Sequence, residues 1–161
     1  MGLMEHLSSI EPPWVELLIL PQRKVLQTVV ENLDKFITVT IDGPKCTTKT
    51  GLFSVFGRAL KFPPYFGNNW DAFEECINDL KWVPSDGYLV MIVNAEHLLL
   101  NSEHDYKTFV DIMQKAGANW AKQQTGEKDS PSVPFHVLLT ISDKKELGIR
   151  DWGVPLLSID S

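Results

Sequence analysis

The alternation of apolar and polar positions predicts strands and helices that follow one another along the chain. Four apolar runs have the length of strands, at 14–20, 36–41, 88–93 and 135–140. Helical spacing of apolar residues occurs between them, at 22–34, from about 49 to the prolines at 63–64, at 69–80 and at about 104–120. Strands that alternate with helices predict an α/β fold in which helices cover a small parallel sheet.

The length of 161 residues suits one domain. We expect a loose N-terminal lead over 1–13, a polar surface loop over 121–134, and a C-terminal tail over 142–161 that the pattern does not place. The sequence shows neither an apolar run of the ~18 residues needed to span a membrane nor a secretory signal pattern, which predicts a cytoplasmic protein. Cys46 and Cys76 are expected to be buried free thiols.

Negative charge is concentrated in one part of the chain. Residues 62–105 contain eight acidic residues and a single lysine, whereas the rest of the chain contains 14 basic and 13 acidic residues. Such a surface repels the phosphates of nucleic acids. The distribution therefore argues against direct nucleic-acid binding by this segment and favours a basic partner.

The helix predicted at 69–80 carries much of this charge. Its apolar side, which should face the core, consists of Trp70, Phe73, Cys76, Ile77 and Leu80. Its opposite side consists of Asp71, Glu74, Glu75, Asn78 and Asp79. Each like-charge pair at i, i+4 on that side destabilises an isolated helix by roughly 0.2–0.5 kcal/mol. Asn68 is predicted to cap the helix. Two interpretations remain open, namely a solvated polar face and an anionic binding surface.

The residues just before this helix carry a family resemblance. Residues 62–77 read FPPYFGNNWDAFEECI. The order of an apolar residue, proline, tyrosine, an aromatic residue, glycine, asparagine, Asp-Ala and cysteine resembles the signature of the barstar family of ribonuclease inhibitors. The resemblance implies a three-stranded parallel sheet packed with helices. It also implies a barstar-like domain at 14–141, made of a core at 36–141 and an additional N-terminal strand–helix unit at 14–35.

The resemblance further implies a stoichiometric inhibitor of a basic ribonuclease or nuclease toxin, serving self-protection or immunity without a cofactor or metal. In such proteins the acidic helix enters the nuclease active site, where its carboxylates replace RNA phosphates. Tyr65 matches a contact tyrosine, Asp71 matches a contact aspartate, and Glu75 stands in place of the dominant aspartate. The partner-binding residues predicted in this way are Tyr65, Asn69, Asp71, Glu74, Glu75 and Asp79. We expect Asn69 to shape the turn and Asp79 to lie at the rim.

Two residues depart from the family pattern. Glu74 replaces a tryptophan that contacts the enzyme, and Lys115 stands where a contact glutamate is expected. The charge reversal at Lys115 argues against the same ribonuclease surface. The alternative is therefore a barstar-fold binding module whose partner is not a nuclease.

The remaining candidate chemistry argues against an enzyme. No glycine-rich phosphate loop is found, and a glycosidase would need its paired carboxylates in a concave site. The four histidines lack ligand spacing to cysteine or glutamate, which predicts no metal site; they are His6, His97, His104 and His136. We expect His136, which lies within an apolar strand, to be a satisfied core or edge residue.

Overall fold

The structure is a computed structural model of the chain, and it describes residues 2–20, 33–64, 66–122 and 132–157. The helix predicted at 22–34 lies almost entirely outside the described residues, as does most of the loop predicted at 121–134.

Four parallel strands form one sheet. They are β1 (Val15–Ile19), β2 (Ile37–Asp42), β3 (Tyr88–Val93) and β4 (Phe135–Ile141), in the spatial order β1-β4-β3-β2. The prediction of a parallel α/β sheet is confirmed, but the expected number of three strands was wrong. β1 is the fourth strand, paired with β4 from Val15↔Val137 to Ile19↔Ile141. Because most of β1 is buried, its backbone groups need a neighbouring strand as hydrogen-bond partner.

Three of the four described α-helices are close to predicted ones, and α1 was not predicted. The four are α1 (Leu3–Leu7), α2 (Lys49–Ala59), α3 (Trp70–Asp79) and α4 (Glu103–Trp120), with short 3-10 segments at Gly43–Cys46, Ala95–His97 and Lys144–Ile149. The expectation of a loose lead was wrong, because α1 buries His6 and Leu7. No helix in the described ranges has the length and apolar character needed to cross a membrane.

Apolar side chains cover both faces of the sheet, which explains why the central strands β3 and β4 carry near-continuous apolar runs. On one face the main core joins the sheet to α2, α3 and α4; it includes Phe56, Phe73, Val90, Phe109, Val137 and Leu139. On the other face a smaller cluster lies beneath α1; it contains Leu7, Leu18, Leu33, Leu89, Met91 and Leu138. Cys46 and Cys76 are buried and free, as predicted.

The tail, which the sequence pattern did not place, packs along the free edge of β1. The backbone N–H of Leu17 donates to Pro155 O at 2.9 Å, and the N–H of Leu157 donates to Leu17 O at 2.7 Å. Arg150 anchors the same segment, because its guanidinium lies 3.8 Å from the ring centroid of Tyr106. These contacts cover a sheet edge that would otherwise expose unpaired backbone groups.

Candidate functional site

The turn before α3 fixes where the helix begins. Asn69 is the N-cap, since its side-chain Oδ1 accepts a hydrogen bond from Ala72 N at 2.8 Å. The prediction of Asn68 as the cap was wrong by one residue. Asn68 instead takes a left-handed conformation with a φ of 53°, which asparagine adopts more readily than most residues. The site residue Asn69 therefore shapes the turn, as expected.

The buried side of α3 is held in an aromatic cluster. The ring of Phe73 is fully buried, with centroid distances of 5.3 Å to Phe56, 5.8 Å to Phe53 and 6.1 Å to Phe109. Trp70 packs edge-on against Phe53 at 5.0 Å. Aromatic pairs at these separations add stability beyond the apolar area that they bury. The cluster therefore fixes the rotation of α3 about its own axis, and with it the side that faces solvent.

Two tryptophans connect α3 to α4 at opposite ends. Trp70 Nε1 donates to Asp105 Oδ1 at 3.3 Å, and Trp120 Nε1 donates to the backbone oxygen of Ile77 at 3.0 Å. Since Asp105 lies near the start of α4 and Trp120 at its end, the two helices run side by side in the same direction. Contacts with α4 therefore hold α3 in place near both of its ends.

Four exposed carboxylates occupy the outward side of α3, and we call Asp71, Glu74, Glu75 and Asp79 the acidic face. Asp71, Glu74 and Glu75, together with Asn78, line a surface depression. The acidic face also acts on the buried side of its own helix. Burial raises the pKa of the Cys76 thiol, and the carboxylates of Asp79 and Glu75 raise it further. Exposed, clustered carboxylates of this kind suit pairing with guanidinium or ammonium groups.

The border of the acidic face is formed by α4. Asn119 Nδ2 donates to Asn78 Oδ1 at 3.0 Å across the two helices. Lys115 Nζ lies 2.9 Å from Asp111 Oδ2 on the same helix. The hydrogen bond and charge of Asp111 raise the pKa of Lys115, and Glu74 contributes in the same direction. A positive charge thus stands beside the acidic face, where the family resemblance led us to expect a negative one.

The structure brings most of the predicted site residues together. Asp71, Glu74, Glu75 and Asp79 share the outward side of α3, and Asn69 caps it. Tyr65 lies outside the described residues. The contribution of Asn119 was missed, because a residue 41 positions from Asn78 has no local sequence signal that places it there.

Comparisons with known proteins concern the family and the fold of the chain. The family model described as "Barstar (barnase inhibitor)" matches residues 36–140. This range contains β2, β3, α2, α3, α4 and all of β4 except Ile141, and therefore the whole acidic face. No curated protein matches the chain. A solved structure, "Structure of Drosophila ORC bound to AT-rich DNA and Cdc6", is similar with 15% identity and a TM-score of 0.50 over 86% of this chain. This chain spans only 43% of that one, and at such identity the likeness concerns the fold alone.

Proposed function

Since the chain belongs to the barstar family, we propose that it is a stoichiometric inhibitor of a basic ribonuclease or nuclease toxin, acting in the cytoplasm in self-protection or immunity. The observation that carries the proposal is the acidic face, with its four carboxylates exposed on a single helix. Protein inhibition of this kind needs no cofactor and no covalent step.

The physical basis is charge complementarity on a preformed surface. A ribonuclease holds RNA phosphates with cationic side chains, and carboxylates at similar spacing can occupy the same positions. Asp71 and Glu75 are one helical turn apart, so both can face one cationic site. Because α3 is fixed by its aromatic cluster, little backbone conformational entropy should be lost when the carboxylates bind.

Salt and distance determine how such an inhibitor associates. Opposite charges accelerate the encounter of the two proteins, and salt at 0.1 M screens the attraction between charges that are more than about 10 Å apart. The association rate should therefore fall steeply as salt increases, whereas dissociation should depend mainly on the close contacts of Asp71, Glu75 and the predicted contact residue Tyr65.

A pull-down at low salt from cells of the source organism tests the proposal. Bound proteins are eluted with salt, identified by mass spectrometry and assayed for RNA cleavage with and without added inhibitor. We expect capture of a small basic ribonuclease whose activity is abolished at a one-to-one ratio. The Asp71→Ala/Glu75→Ala variant should lose both capture and inhibition while it stays folded.

A matched variant separates specific contacts from general charge. Glu11→Ala/Asp34→Ala also removes two negative charges, but from exposed positions outside α3. This control should capture the ribonuclease as wild type does. If both variants lost capture equally, binding would depend on the net charge of the protein and not on specific contacts of the acidic face. Unfolding of Asp71→Ala/Glu75→Ala in circular dichroism would show that these residues are structural.

A second candidate function is a barstar-fold binding module whose basic partner is not a nuclease. Lys115 favours this alternative, because its positive charge lies beside Glu74 at the border of the acidic face. The same pull-down distinguishes the two candidates. A partner that is captured through Asp71 and Glu75, but has no ribonuclease activity, would support the second.

A further inference from the structure

A polar cluster is buried on the face of the sheet opposite the acidic face. It consists of His6 from α1, Glu16 from β1 and His136 from β4. One nitrogen or oxygen from each side chain lies within 4.8 Å of the others. The three residues are 8%, 3% and 1% exposed, respectively. Ionisable side chains are rarely buried to this extent unless they are paired or bind a ligand.

The sheet topology explains why three residues so distant in sequence meet. β1 and β4 are neighbours, with Val15 paired to Val137 and Glu16 paired to Leu138. Side chains alternate between the two faces of a strand, so Glu16 and His136 lie on the same face as diagonal neighbours. α1 covers this face and brings His6 over them, with the two histidine ring centroids 4.8 Å apart.

The hydrogen bonds of the two histidines leave some of the buried polar atoms of the cluster without a partner. His136 Nε2 lies 2.7 Å from Ser9 O, and His6 Nε2 lies 2.9 Å from Pro13 O. A carbonyl oxygen only accepts, so the Nε2 of His136 donates and its Nδ1 carries a lone pair. That buried Nδ1 has no hydrogen-bond partner. A buried polar atom without a partner is costly, and it calls for an explanation.

Glu16 also has a buried polar atom without a hydrogen-bond partner. Its Oε1 lies 2.7 Å from His6 Nε2, but the two atoms are not aligned as a hydrogen bond, and Oε1 is otherwise unpaired. Two unsatisfied atoms of different residues, an imidazole nitrogen and a carboxylate oxygen, are therefore enclosed in one small volume. Both are electron-pair donors, so a cation can satisfy both at once, whereas a hydrogen bond between them would need an extra proton.

We propose that His6, Glu16 and His136 form a binding site for one divalent transition-metal ion of the Zn²⁺ class. Two imidazoles and one carboxylate are ligands that Zn²⁺ accepts, whereas Mg²⁺ and Ca²⁺ prefer oxygen ligands throughout. The bond from His136 Nε2 to Ser9 O is the kind of second contact that orients a metal-binding imidazole.

The ion would link α1 to two strands of the sheet and so stabilise the folded N-terminal segment. The site is independent of the acidic face, which lies on the other side of the sheet. Its ligands are separated by 10 and 120 positions, so no local spacing of histidine and glutamate indicates it.

Zn²⁺ titration of untagged, metal-free protein tests this site by isothermal calorimetry and thermal unfolding. Wild type should bind one Zn²⁺ and unfold at a higher temperature as Zn²⁺ increases, with no comparable shift in Mg²⁺. Glu16→Gln keeps the shape of the side chain but removes its charge, and His136→Leu replaces an imidazole with an apolar group. Each should weaken Zn²⁺ binding by about tenfold or more.

His104→Ala is the matched control, because it removes an exposed histidine from the surface of α4. It should bind Zn²⁺ as wild type does. Absence of Zn²⁺ binding by wild type would overturn the proposal. So would wild-type affinity in Glu16→Gln, since the ion would then lie elsewhere. If His136→Leu does not fold, as judged by circular dichroism, Glu16→Gln alone decides.

Discussion

Gly117 offers a sharp test of how the N-terminal segment packs on the core. It lies inside α4, where replacing glycine by alanine normally stabilises a helix by about 0.5–1 kcal/mol. Here an added Cβ would overlap Cβ and Cγ of Trp14 and lie 2.8 Å from its Cδ1. The overlapped atoms are at the base of the Trp14 side chain, so a simple rotation of the ring does not relieve them.

The expected loss of stability depends on how easily Trp14 can be displaced. Trp14 precedes the fully buried Val15 of β1, and its Nε1 donates to Ile10 O at 3.0 Å. Overpacking of this kind typically costs about 1–3 kcal/mol. After the gain in helix propensity is subtracted, we expect Gly117→Ala to lower the free energy of unfolding by about 0.5–2 kcal/mol.

Gly57 provides the control, because a Cβ there meets only ordinary contacts of 3.8–3.9 Å with Phe62 and Phe66. Gly57→Ala in α2 should therefore raise the free energy of unfolding by about 0.5–1 kcal/mol. Urea unfolding followed by tryptophan fluorescence measures both changes. If Gly117→Ala also stabilised the protein, Trp14 would not pack against α4. Trp14→Gly should couple favourably with Gly117→Ala in a double-mutant cycle.

Three further predictions concern capping, tail docking and thiol chemistry. Asn69→Ala should lower the free energy of unfolding by about 1 kcal/mol through loss of the cap, whereas Asn69→Asp should not. Tyr106→Phe should cost about 1–3 kcal/mol in the same urea assay, since the hydroxyl donates at 2.7 Å to Trp152 O. Burial raises the pKa of Cys46 to about 11, so iodoacetamide at pH 8 should label it about a hundredfold more slowly than an ordinary thiol; rapid labelling in mass spectrometry would contradict this.

The sequence predicted the elements whose pattern is local. The apolar run at 88–93 became β3 with the same bounds, and the amphipathic spacing at 69–80 became α3 within one residue at each end. α1 was missed because five residues with no side-chain cap give a weak helical signal. The place of β1 beside β4 depends on pairing between residues about 120 positions apart, which no local pattern encodes.

The candidate site was likewise predictable only in those features that depend on local sequence pattern. Helical periodicity alone placed Asp71, Glu74, Glu75 and Asp79 on one side, and the structure exposes all four. The surroundings of that side were not predictable, because Asn119 and the Lys115–Asp111 pair reach it through the packing of α4 on α3. Contacts between elements thus determine the border of the acidic face, and periodicity determines its centre.

The energetics of α3 separate its folding from the proposed binding. Asp71, Glu75 and Asp79 repel one another along the helix, and each pair costs roughly 0.2–0.5 kcal/mol. The helix nevertheless forms, because Asn69 caps it and the ring of Phe73 is fully buried beneath it. Phe73 alone, if truncated to alanine, would cost about 3–5 kcal/mol, several times the repulsion. The fold therefore does not need the acidic residues, and a cationic partner that relieves their repulsion would recover that energy as affinity.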